Sequence, residues 1–523
     1  MKYDAIIIGA GHNGLVNAAY LARAGKKVLV LEQRHLVGGA TVTEEIYPGF
    51  KYTVFSYVVS LLRPEIIRDL RLPEHGLTIL PLESTLTPLP DGDYIYRDSD
   101  KFRTIRDIAR HSPRDADAYL DYGRAMYFMA KAVKYMLGII PHDPTTLNPK
   151  DLLGLAGLGK HLIGLGEENF YMLTKLMTMS AADFLDEWFE TDALKATMSA
   201  SGIIGTFLGP RSPGTAYVLL HHYMGEIDGA YRAWGFQKGG TGGVADAIAS
   251  AAQAFGAEIK TEAPVEKVIV KNGVASGVAL KNGDEYYANR IVSSLDPKLT
   301  FLKLVDPNAL PEELVDSIRK FNIRGSSAKV NLALDAAPNI ACMPGDGPHL
   351  AGAVSISPSL DYLEKAYDDA KYGDFSRRPY IDMIIPSMID PDMAPPGKHV
   401  MSCFVQYAPY HLKEGTWEEK REALGDAVVD ALAEYIPNLK DIILHRQVMT
   451  PLDIEQVTGL TQGNIFQGEL SLSQLFFLRP AAGFAKYRTP IKNYYQCGSG
   501  THPGGGILGA PGRLAAMEIL RKF

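Results

Sequence analysis

The first 31 residues contain two apolar runs separated by a helical pattern. Residues 3–8 form an apolar, β-branched run that ends at a glycine, which predicts a buried strand. Residues 13–24 predict a helix, because Leu15 and three alanines along one face form a compact packing surface. Residues 27–31 predict a second buried strand. A strand, a helix and a strand in this order predict a right-handed unit with parallel strands.

The rest of the pattern divides the chain into a helical insertion and two groups of strands. Helical spacing of apolar residues dominates from residue 97 to about residue 223, with helices predicted at 115–137, 151–165 and 180–189. Further helices are predicted at 244–255, 417–435 and 508–520. Short strands are predicted at 258–260, 265–270, 277–280, 286–291 and 493–497. Longer strands, which indicate another sheet, are predicted at 328–334, 380–385 and 399–407.

This order of elements predicts an α/β fold with two discontinuous domains. A Rossmann-like, cofactor-binding domain comprises residues 1–60, 238–300 and 480–523. An α+β substrate domain comprises residues 61–237, which are largely helical, and residues 301–479, which contribute an antiparallel sheet.

A glycine-rich loop connects the first predicted strand to the first helix. It reads Gly9-Ala10-Gly11-His12-Asn13-Gly14, a G-x-G-x-x-G motif, and Glu32 follows 18 residues after Gly14. Gly9 allows the tight turn, Gly11 lets the backbone approach a pyrophosphate, and Gly14 lets helix and strand pack closely. The helix N-terminus attracts the phosphates, and the Glu32 carboxylate can accept hydrogen bonds from both ribose hydroxyls. The loop therefore predicts a dinucleotide site, to which His12 contributes through its backbone.

The loop alone does not distinguish FAD from NAD, because both cofactors present an ADP half. A second glycine segment just after the second strand favours a long cofactor, and its predicted contacts are Gln33, Arg34, Gly38, Gly39 and Ala40. Residues 498–507 precede the terminal helix, so their backbone N–H groups and the positive end of that helix would stabilise negative charge on a flavin ring. The predicted contacts in this segment are Gly500, Gly505, Gly506 and Ile507.

Both segments resemble the FAD-containing superfamily of amine oxidases, phytoene desaturases and carotenoid isomerases. The G-x-H-P-G-x-G-I pattern at residues 500–507 is similar to the C-terminal flavin segment of phytoene desaturases. Several short segments resemble the pyridine nucleotide-disulphide oxidoreductase domain-containing protein 2 group, namely residues 48–52, 56–64, 212–216, 221–225, 235–236 and 238–243. The resemblance covers essentially the full length. It implies non-covalent FAD, a flavin amine oxidase or phytoene desaturase type of fold, and contact between the backbone of Val265 and the adenine.

The chain also departs from this superfamily. Phytoene desaturases carry an acid and a glycine shortly after the first Gly-Phe pair, whereas here Thr53 and Phe55 occupy these positions. This difference argues against carotenoid desaturation.

Three residues are candidates for catalysis beside a flavin. His502 lies in the flavin segment, although it could equally hydrogen-bond the loop backbone. His221 and His222 are adjacent and would point about 100° apart on a helix, so at most one faces a pocket; His222 is the candidate. Tyr57 follows the segment that leaves the cofactor domain, and packing in the core is its alternative role.

Composition and charge argue against several classes of binding partner and cofactor. A net charge of −7 argues against nucleic acid, since there is no cation excess to neutralise phosphates. Cys342, Cys403 and Cys497 are widely separated, which excludes a Cys-x-x-Cys redox pair and predicts no metal site. We expect a cytoplasmic protein, because no signal peptide or spanning apolar run is present. Peripheral membrane contact through the apolar, glycine-rich residues 154–166 and a homodimer are both compatible with the sequence.

These observations predict an FAD-dependent oxidoreductase. We expect hydride transfer from an organic, lipophilic substrate to the flavin, with oxygen or a quinone as the electron acceptor. Two alternatives remain: a flavin-dependent isomerase without net redox change, and an FAD-binding protein with a regulatory role.

Overall fold

The computed structural model describes residues 2–521 and 523. A seven-stranded sheet carries the glycine loop. Its parallel strands are, in spatial order, Glu258–Lys260, Val28–Leu31, Lys2–Ile8 and Glu285–Ser293, with Tyr494–Gln496 beside the end of the last. Antiparallel strands Val274–Leu280 and Val265–Lys271 extend the sheet at its far side. Strands from the start, middle and end of the chain therefore share one sheet.

Both faces of this sheet are buried, as its continuous apolar strands predict. Ala5 and Ile7 point to one face, where they pack in a cluster rich in alanine. Ile6 and Ile8 point to the other face. The helices on the alanine-rich face are His12–Arg23, Gly242–Ala254 and Ala510–Leu520, and those on the other are Pro297–Leu302 and Glu312–Lys320.

The terminal helix packs very closely on the first helix. A Cβ added to Gly512 would lie only 2.2 Å from the carbonyl oxygen of Asn13. Asn17 Nδ2 donates a hydrogen bond to the carbonyl of Gly512 at 3.0 Å. Small residues on both helices permit this approach, which brings the two ends of the chain together.

The helix Pro64–Asp69 packs into the same apolar cluster as the first helix. Its Ile66 and the following Leu70 and Leu72 are buried there, although residues from 61 onward were predicted to belong to the substrate domain. The domain boundaries stay a prediction.

A second seven-stranded sheet lies in the other half of the molecule. Its strands, in spatial order, are Ile443–Met449, Ser327–Leu334, His399–Gln406, Tyr380–Ile384, Ala353–Ile356, Ser84–Pro88 and Tyr94–Asp98. Neighbouring strands are antiparallel except for the pair Ala353–Ile356 and Ser84–Pro88, which is parallel. The three strands expected here from sequence are present, whereas the other four were not predicted.

The insertion between residues 97 and 223 is helical, as its apolar spacing predicts. Its helices are Lys101–His111, Pro113–Leu137, Pro149–Gly164, Glu167–Thr178, Ala181–Asp186, Asp192–Ser199 and Thr215–Tyr223. The long second helix begins at a proline, and the Ser112 hydroxyl caps it by accepting a hydrogen bond from the backbone of Asp115.

Shorter elements connect these units. The remaining helices are Leu360–Lys371, Pro386–Ile389, Trp417–Ala433, Leu439–Ile442 and Pro451–Thr458. Two-stranded ribbons pair Thr43–Tyr47 with Phe50–Thr53, Ile79–Pro81 with Gly235–Gln237, and Glu226–Ile227 with Ala230–Tyr231. Single 3₁₀ turns lie at Leu72–His75, Ala200–Gly202, Pro307–Ala309, Pro348–Ala351, Pro391–Met393, Thr461–Gly463, Leu472–Gln474 and Phe476–Leu478. Within the described residues, no helix has both the length and the apolar character required to cross a bilayer.

Candidate functional site

The glycine loop lies at the carboxyl end of the central strand Lys2–Ile8. Gly9 has a φ of +90°, and a Cβ there would lie 2.7 Å from Ser294 Oγ. A Cβ on Gly14 would lie 2.2 Å from the carbonyl oxygen of Gly9. At Gly11, by contrast, nothing lies within 4 Å of an added Cβ. The first and last glycines are needed for packing, and the middle one borders open space.

The second glycine segment runs beside this loop. Gly38 N donates to the Ala10 carbonyl at 2.9 Å, and a Cβ on Gly39 would lie 3.5 Å from the Cα of Gly11. Both glycines have positive φ values. Gly38, Gly39 and Ala40 line the same cavity as Gly11.

Glu32 is buried at the end of its strand and lines this cavity. Its Oε2 accepts a hydrogen bond from Ala10 N at 2.8 Å, and its Oε1 accepts one from Arg34 N at 2.9 Å. Each carboxylate oxygen keeps a free lone pair, so the carboxylate is held in place and can still bind two hydroxyls. The Arg34 guanidinium pairs with Glu44 at 2.9 Å and is not among the residues that line the cavity, so its predicted contact with the cofactor stays a prediction.

The C-terminal glycine segment meets the N-terminal loop directly. Asn13 Nδ2 donates to Ser499 Oγ at 2.9 Å. Gly506 and Ile507 line the cavity, as does Val265. Gly500 and Gly505 are not among the lining residues, and a Cβ there would lie 2.2 Å from Pro297 Cδ and 2.7 Å from Phe466 Cα, respectively; their contact with the cofactor stays a prediction. These two glycines are required by close packing behind the wall.

These groups line one cavity of about 260 Å³. One part is lined by Glu32, Val265 and the glycine loop. Another part is lined by apolar and aromatic side chains, namely Leu61, Ile204, Trp234, Phe404, Ile465 and Phe466. The cavity lining therefore includes a polar, glycine-rich part and an apolar part.

The polar part fits the ADP half of FAD. His12 Nε2 and Asn13 Oδ1 are buried polar atoms at this wall without a hydrogen-bond partner among the described residues. A phosphate and its neighbouring hydroxyls would supply such partners. Burial lowers the pKa of His12 to about 4, so its imidazole is neutral near pH 7.

His222 lines the apolar part of the cavity, whereas His221 does not line the cavity. The His222 ring stacks between Trp234, at a centroid distance of 5.9 Å, and Phe466, at 6.0 Å. Its Nδ1 lies 3.0 Å from the Val218 carbonyl, and burial lowers its pKa to about 4. His222 is thus a neutral part of an aromatic wall. His221 Nε2 instead lies 3.2 Å from the carbonyl of Gly505 and supports the flavin segment.

The second histidine candidate lies behind the cavity wall. The His502 ring is buried, packs 6.0 Å from Phe476 and does not line the cavity. Burial and the neighbouring Arg479 charge lower its pKa to about 3, so it would be a weak base. His502 therefore lies outside the lining of the cavity in which a substrate would react.

Lys329 lines the cavity and was not found by sequence reasoning. Its side chain is 1% exposed, and its Nζ donates to Thr53 O at 2.8 Å, Asn331 Oδ1 at 2.6 Å and Ser402 Oγ at 2.6 Å. Burial lowers its pKa to about 7. The available signal was a lysine, followed two residues later by Asn331, on one face of a predicted apolar strand.

The class of protein follows from these features and from comparison with known proteins. The flavin containing amine oxidoreductase family matches residues 14–520. The chain is 41% identical over 548 residues to pyridine nucleotide-disulfide oxidoreductase domain-containing protein 2 of Rattus norvegicus, covering 99% of this chain and 94% of that protein. The chain therefore belongs to the flavin containing amine oxidoreductase family, and the predicted resemblance to that group is confirmed.

Two further comparisons extend this assignment. The chain is 27% identical over 552 residues to a limonene dehydrogenase subunit of Castellaniella defragrans, covering 99% of this chain and 94% of that protein. A solved structure of putrescine oxidase with bound putrescine has a TM-score of 0.61 at 17% identity and covers 100% of both chains. This structural likeness confirms the predicted fold class.

Proposed function

We propose that this protein binds FAD non-covalently and dehydrogenates a neutral, lipophilic organic substrate. Family membership supports flavin-dependent oxidoreduction. The observation that carries the finer proposal is the lining of the cavity: among the described residues, its side chains of formal charge are Glu32, in the polar part, and Lys329. An apolar part of the cavity that no carboxylate lines favours a neutral ligand.

Non-covalent attachment is supported by the positions of the cysteines. Cys497 is fully buried in the apolar cluster beside the first helix, and Cys403 lies within the second sheet. Burial raises the pKa of both thiols, so neither is a ready nucleophile. No cysteine among the described residues lines the cavity.

FAD, when bound, supplies a two-electron acceptor for the substrate. Glu32 would hold the ribose through its carboxylate, and the glycine loop would hold the pyrophosphate. The aromatic wall around His222 and Phe466 would exclude water from the reacting carbon. Lys329, whose pKa is near 7, can hold or release a proton at Nζ beside this compartment.

We also propose oxygen or a quinone as the final electron acceptor. A nicotinamide cofactor with its own fold would need a second strand, glycine loop and helix. The other glycine-rich stretch, residues 154–159, lies inside the helix Pro149–Gly164 and does not follow a strand.

The lipophilic substrate is further supported by the similarity to the limonene dehydrogenase subunit.

The test begins with the purified protein, which should be yellow and release intact FAD on acid denaturation. Gly11→Leu should lose FAD, because its side chain would enter open space needed by the pyrophosphate. Gly157→Leu is the matched control, since nothing lies within 4 Å of that glycine on its exposed helix. FAD retained by the first variant would contradict the proposed binding mode.

The reaction is then tested by anaerobic mixing with neutral terpenoid and other lipophilic compounds. Loss of the oxidised flavin absorbance together with a product that lacks two hydrogens would support dehydrogenation. An isomeric product formed by reduced protein without flavin turnover would instead support the isomerase alternative.

A further inference from the structure

Tyr57 lines the cavity, and its hydroxyl is hydrogen-bonded to Asp382, which lies behind the lining residues. The Tyr57 side chain is 6% exposed, lines the cavity and donates a hydrogen bond from its hydroxyl to Asp382 Oδ2 at 2.5 Å. Its ring is stacked on Phe404 at a centroid distance of 5.8 Å and an interplanar angle of 12°. The tyrosine ring is therefore fixed on one side by an aromatic ring and at its tip by a carboxylate.

The second sheet places these groups in a row. Asp382 is directly opposite Phe404 on one neighbouring strand, and Lys329 is directly opposite Phe404 on the other. Directly opposite residues in antiparallel strands point to the same face. Asp382 and Lys329 therefore flank Phe404 on the sheet face that borders the cavity. The Tyr57 ring stacks on Phe404 from the cavity side of that face.

Burial brings the pKa of the carboxyl group in this row close to neutral pH. Burial raises the pKa of Asp382 to about 6, opposed by the Tyr57 hydrogen bond and by Arg97. Tyr380 and Cys403 are the other titratable groups that interact with Asp382, and burial raises the pKa of both. Asp382 is therefore a carboxylate near pH 7 that can accept a proton at small cost.

We propose that Tyr57 is the catalytic proton acceptor of this site and that Asp382 positions its hydroxyl and receives its proton. This inference rests on the proposed function. When one C–H bond of the substrate transfers two electrons and a hydrogen nucleus to FAD, the adjacent C–H bond breaks and its electron pair forms the new C=C bond. The proton from that carbon passes to Tyr57 Oη, while the proton of Tyr57 Oη passes to Asp382 Oδ2. The substrate loses two hydrogens, FAD gains two electrons, and Asp382 becomes neutral.

Lys329 does not take this role in the proposal because its Nζ is already directed at three protein acceptors. The Tyr57 hydroxyl, in contrast, donates its one proton to Asp382 and keeps lone pairs for a substrate proton.

The pair is tested first without turnover, by infrared titration of the FAD-loaded protein between pH 4 and 9. A carboxyl C=O band that disappears with an apparent pKa of about 6 is expected in the wild type. Asp382→Asn should lack this titration. Tyr57→Phe should shift it to higher pH, since the charged form loses its donor. If Asp382→Asn retains the band, or if Tyr57→Phe leaves its pKa unchanged, the pairing is wrong.

The catalytic role is tested by the rate of flavin reduction with a lipophilic compound that reduces the wild type. Tyr57→Phe should lower this rate roughly 10²–10⁴-fold with little change in substrate affinity. Asp382→Asn should remove the rise of the rate with pH near 6. Tyr20→Phe is the matched control, because its hydroxyl donates to Asp69 at 2.8 Å away from the cavity.

These outcomes separate the two proposals. Full activity in Tyr57→Phe, or an unchanged pH profile in Asp382→Asn, would overturn the proton-transfer role while leaving FAD-dependent oxidation intact. A protein that binds no FAD would refute the proposed function and with it the catalytic role of this pair.

Discussion

At the scale of single residues, burial of one lysine makes the stability of the protein depend on pH. Lys329 titrates with a pKa of about 7 in the fold, because water cannot solvate its charge there. Unfolding returns it to the ordinary lysine pKa of 10.5. Between these two values the unfolded chain binds more protons than the folded chain, so the free energy of unfolding rises with pH.

We expect Lys329→Met to remove this rise. Relative to the variant, the wild type should gain stability from about pH 7 upward, with the gain complete near pH 10.5. Chemical unfolding at saturating FAD across this range measures the difference. Lys371→Met is the control, because the exposed Lys371 has a raised pKa and should show no such gain. If the free energies of unfolding of the wild type and Lys329→Met change with pH in the same way, Lys329 is charged in the folded protein.

Glu32 makes a second residue-scale prediction. Glu32→Ala should weaken FAD binding by about 1.5–3 kcal/mol, through loss of charge-assisted hydrogen bonds to the ribose. Fluorescence titration of the apoprotein with FAD measures this change. Glu266→Ala, at an exposed position on the strand Val265–Lys271, should bind as the wild type does. Equal affinities for both variants would mean that another group holds the ribose.

The two residues also differ in how far the sequence reveals them. Glu32 is recognisable because strand, loop and acid follow one another at a short fixed spacing. Lys329 contacts Ser402 across the second sheet and Thr53 where a separate two-stranded ribbon packs on that sheet, so its environment depends on contacts between residues 73 and 276 positions apart. Tyr57 and Asp382 are separated by 325 positions and are likewise joined by tertiary structure.

At the scale of elements, the close packing of the first and last helices is the contact that closes the site. Gly512→Ala would place a Cβ 2.2 Å from Asn13 O and force the helices apart. We expect a loss of about 1–3 kcal/mol in unfolding free energy and weaker FAD retention. Gly123→Ala is the control, because nothing lies within 4 Å of that helical glycine and alanine should stabilise the helix. Equal stability of the two variants would contradict the packing.

The helix Pro149–Gly164 has little packing support. Asp151 is its one buried residue, while Leu153 and Ile163 are 74% and 83% exposed. A helix that is apolar on most sides and lies on the surface favours contact with lipid. We propose that it rests on a bilayer surface, from which a lipophilic substrate could enter.

Sedimentation with phosphatidylcholine vesicles tests this contact. Leu153→Ser combined with Ile163→Ser should lower the vesicle partition coefficient by up to about 10²–10⁴-fold, since each side chain contributes about 1.5–3 kcal/mol when fully buried in an apolar phase. Tyr372→Ser, which removes a 73% exposed ring elsewhere, should bind as the wild type does. Absence of vesicle binding by the wild type would refute the contact.

Among the strands of the second sheet, the longer apolar ones were predictable, whereas the short strands Ser84–Pro88 and Ala353–Ile356 were not. Glu258–Lys260 has its predicted bounds, and the first helix and first strand begin one residue early. Ser84–Pro88 was missed because serine, threonine and proline there read as a loop. It is held as a strand by its neighbours on both sides in the second sheet.

At the scale of the whole molecule, FAD should stabilise the fold, because its site is assembled from the start, middle and end of the chain. Such a site does not exist in the unfolded chain. At a free FAD concentration 100 times the Kd, we expect about 2.7 kcal/mol of added stability. Thermal unfolding with and without FAD measures this gain, and NADPH at the same concentration should give none. Equal stabilisation by NADPH would contradict the choice of cofactor.

The sequence by itself determined the nucleotide-binding unit, the position of Glu32 and the fold class, because local spacing is enough to form a strand, a turn and a helix N-terminus. Only the tertiary structure decided which glycines border the cavity and which are packed behind it. It also decided that Lys329 and Tyr57 line one cavity and that Asp382 is hydrogen-bonded to Tyr57. The physical reason is that burial and cross-strand pairing, rather than residue type, set the pKa values and partners of these side chains, and both arise only when distant segments pack together.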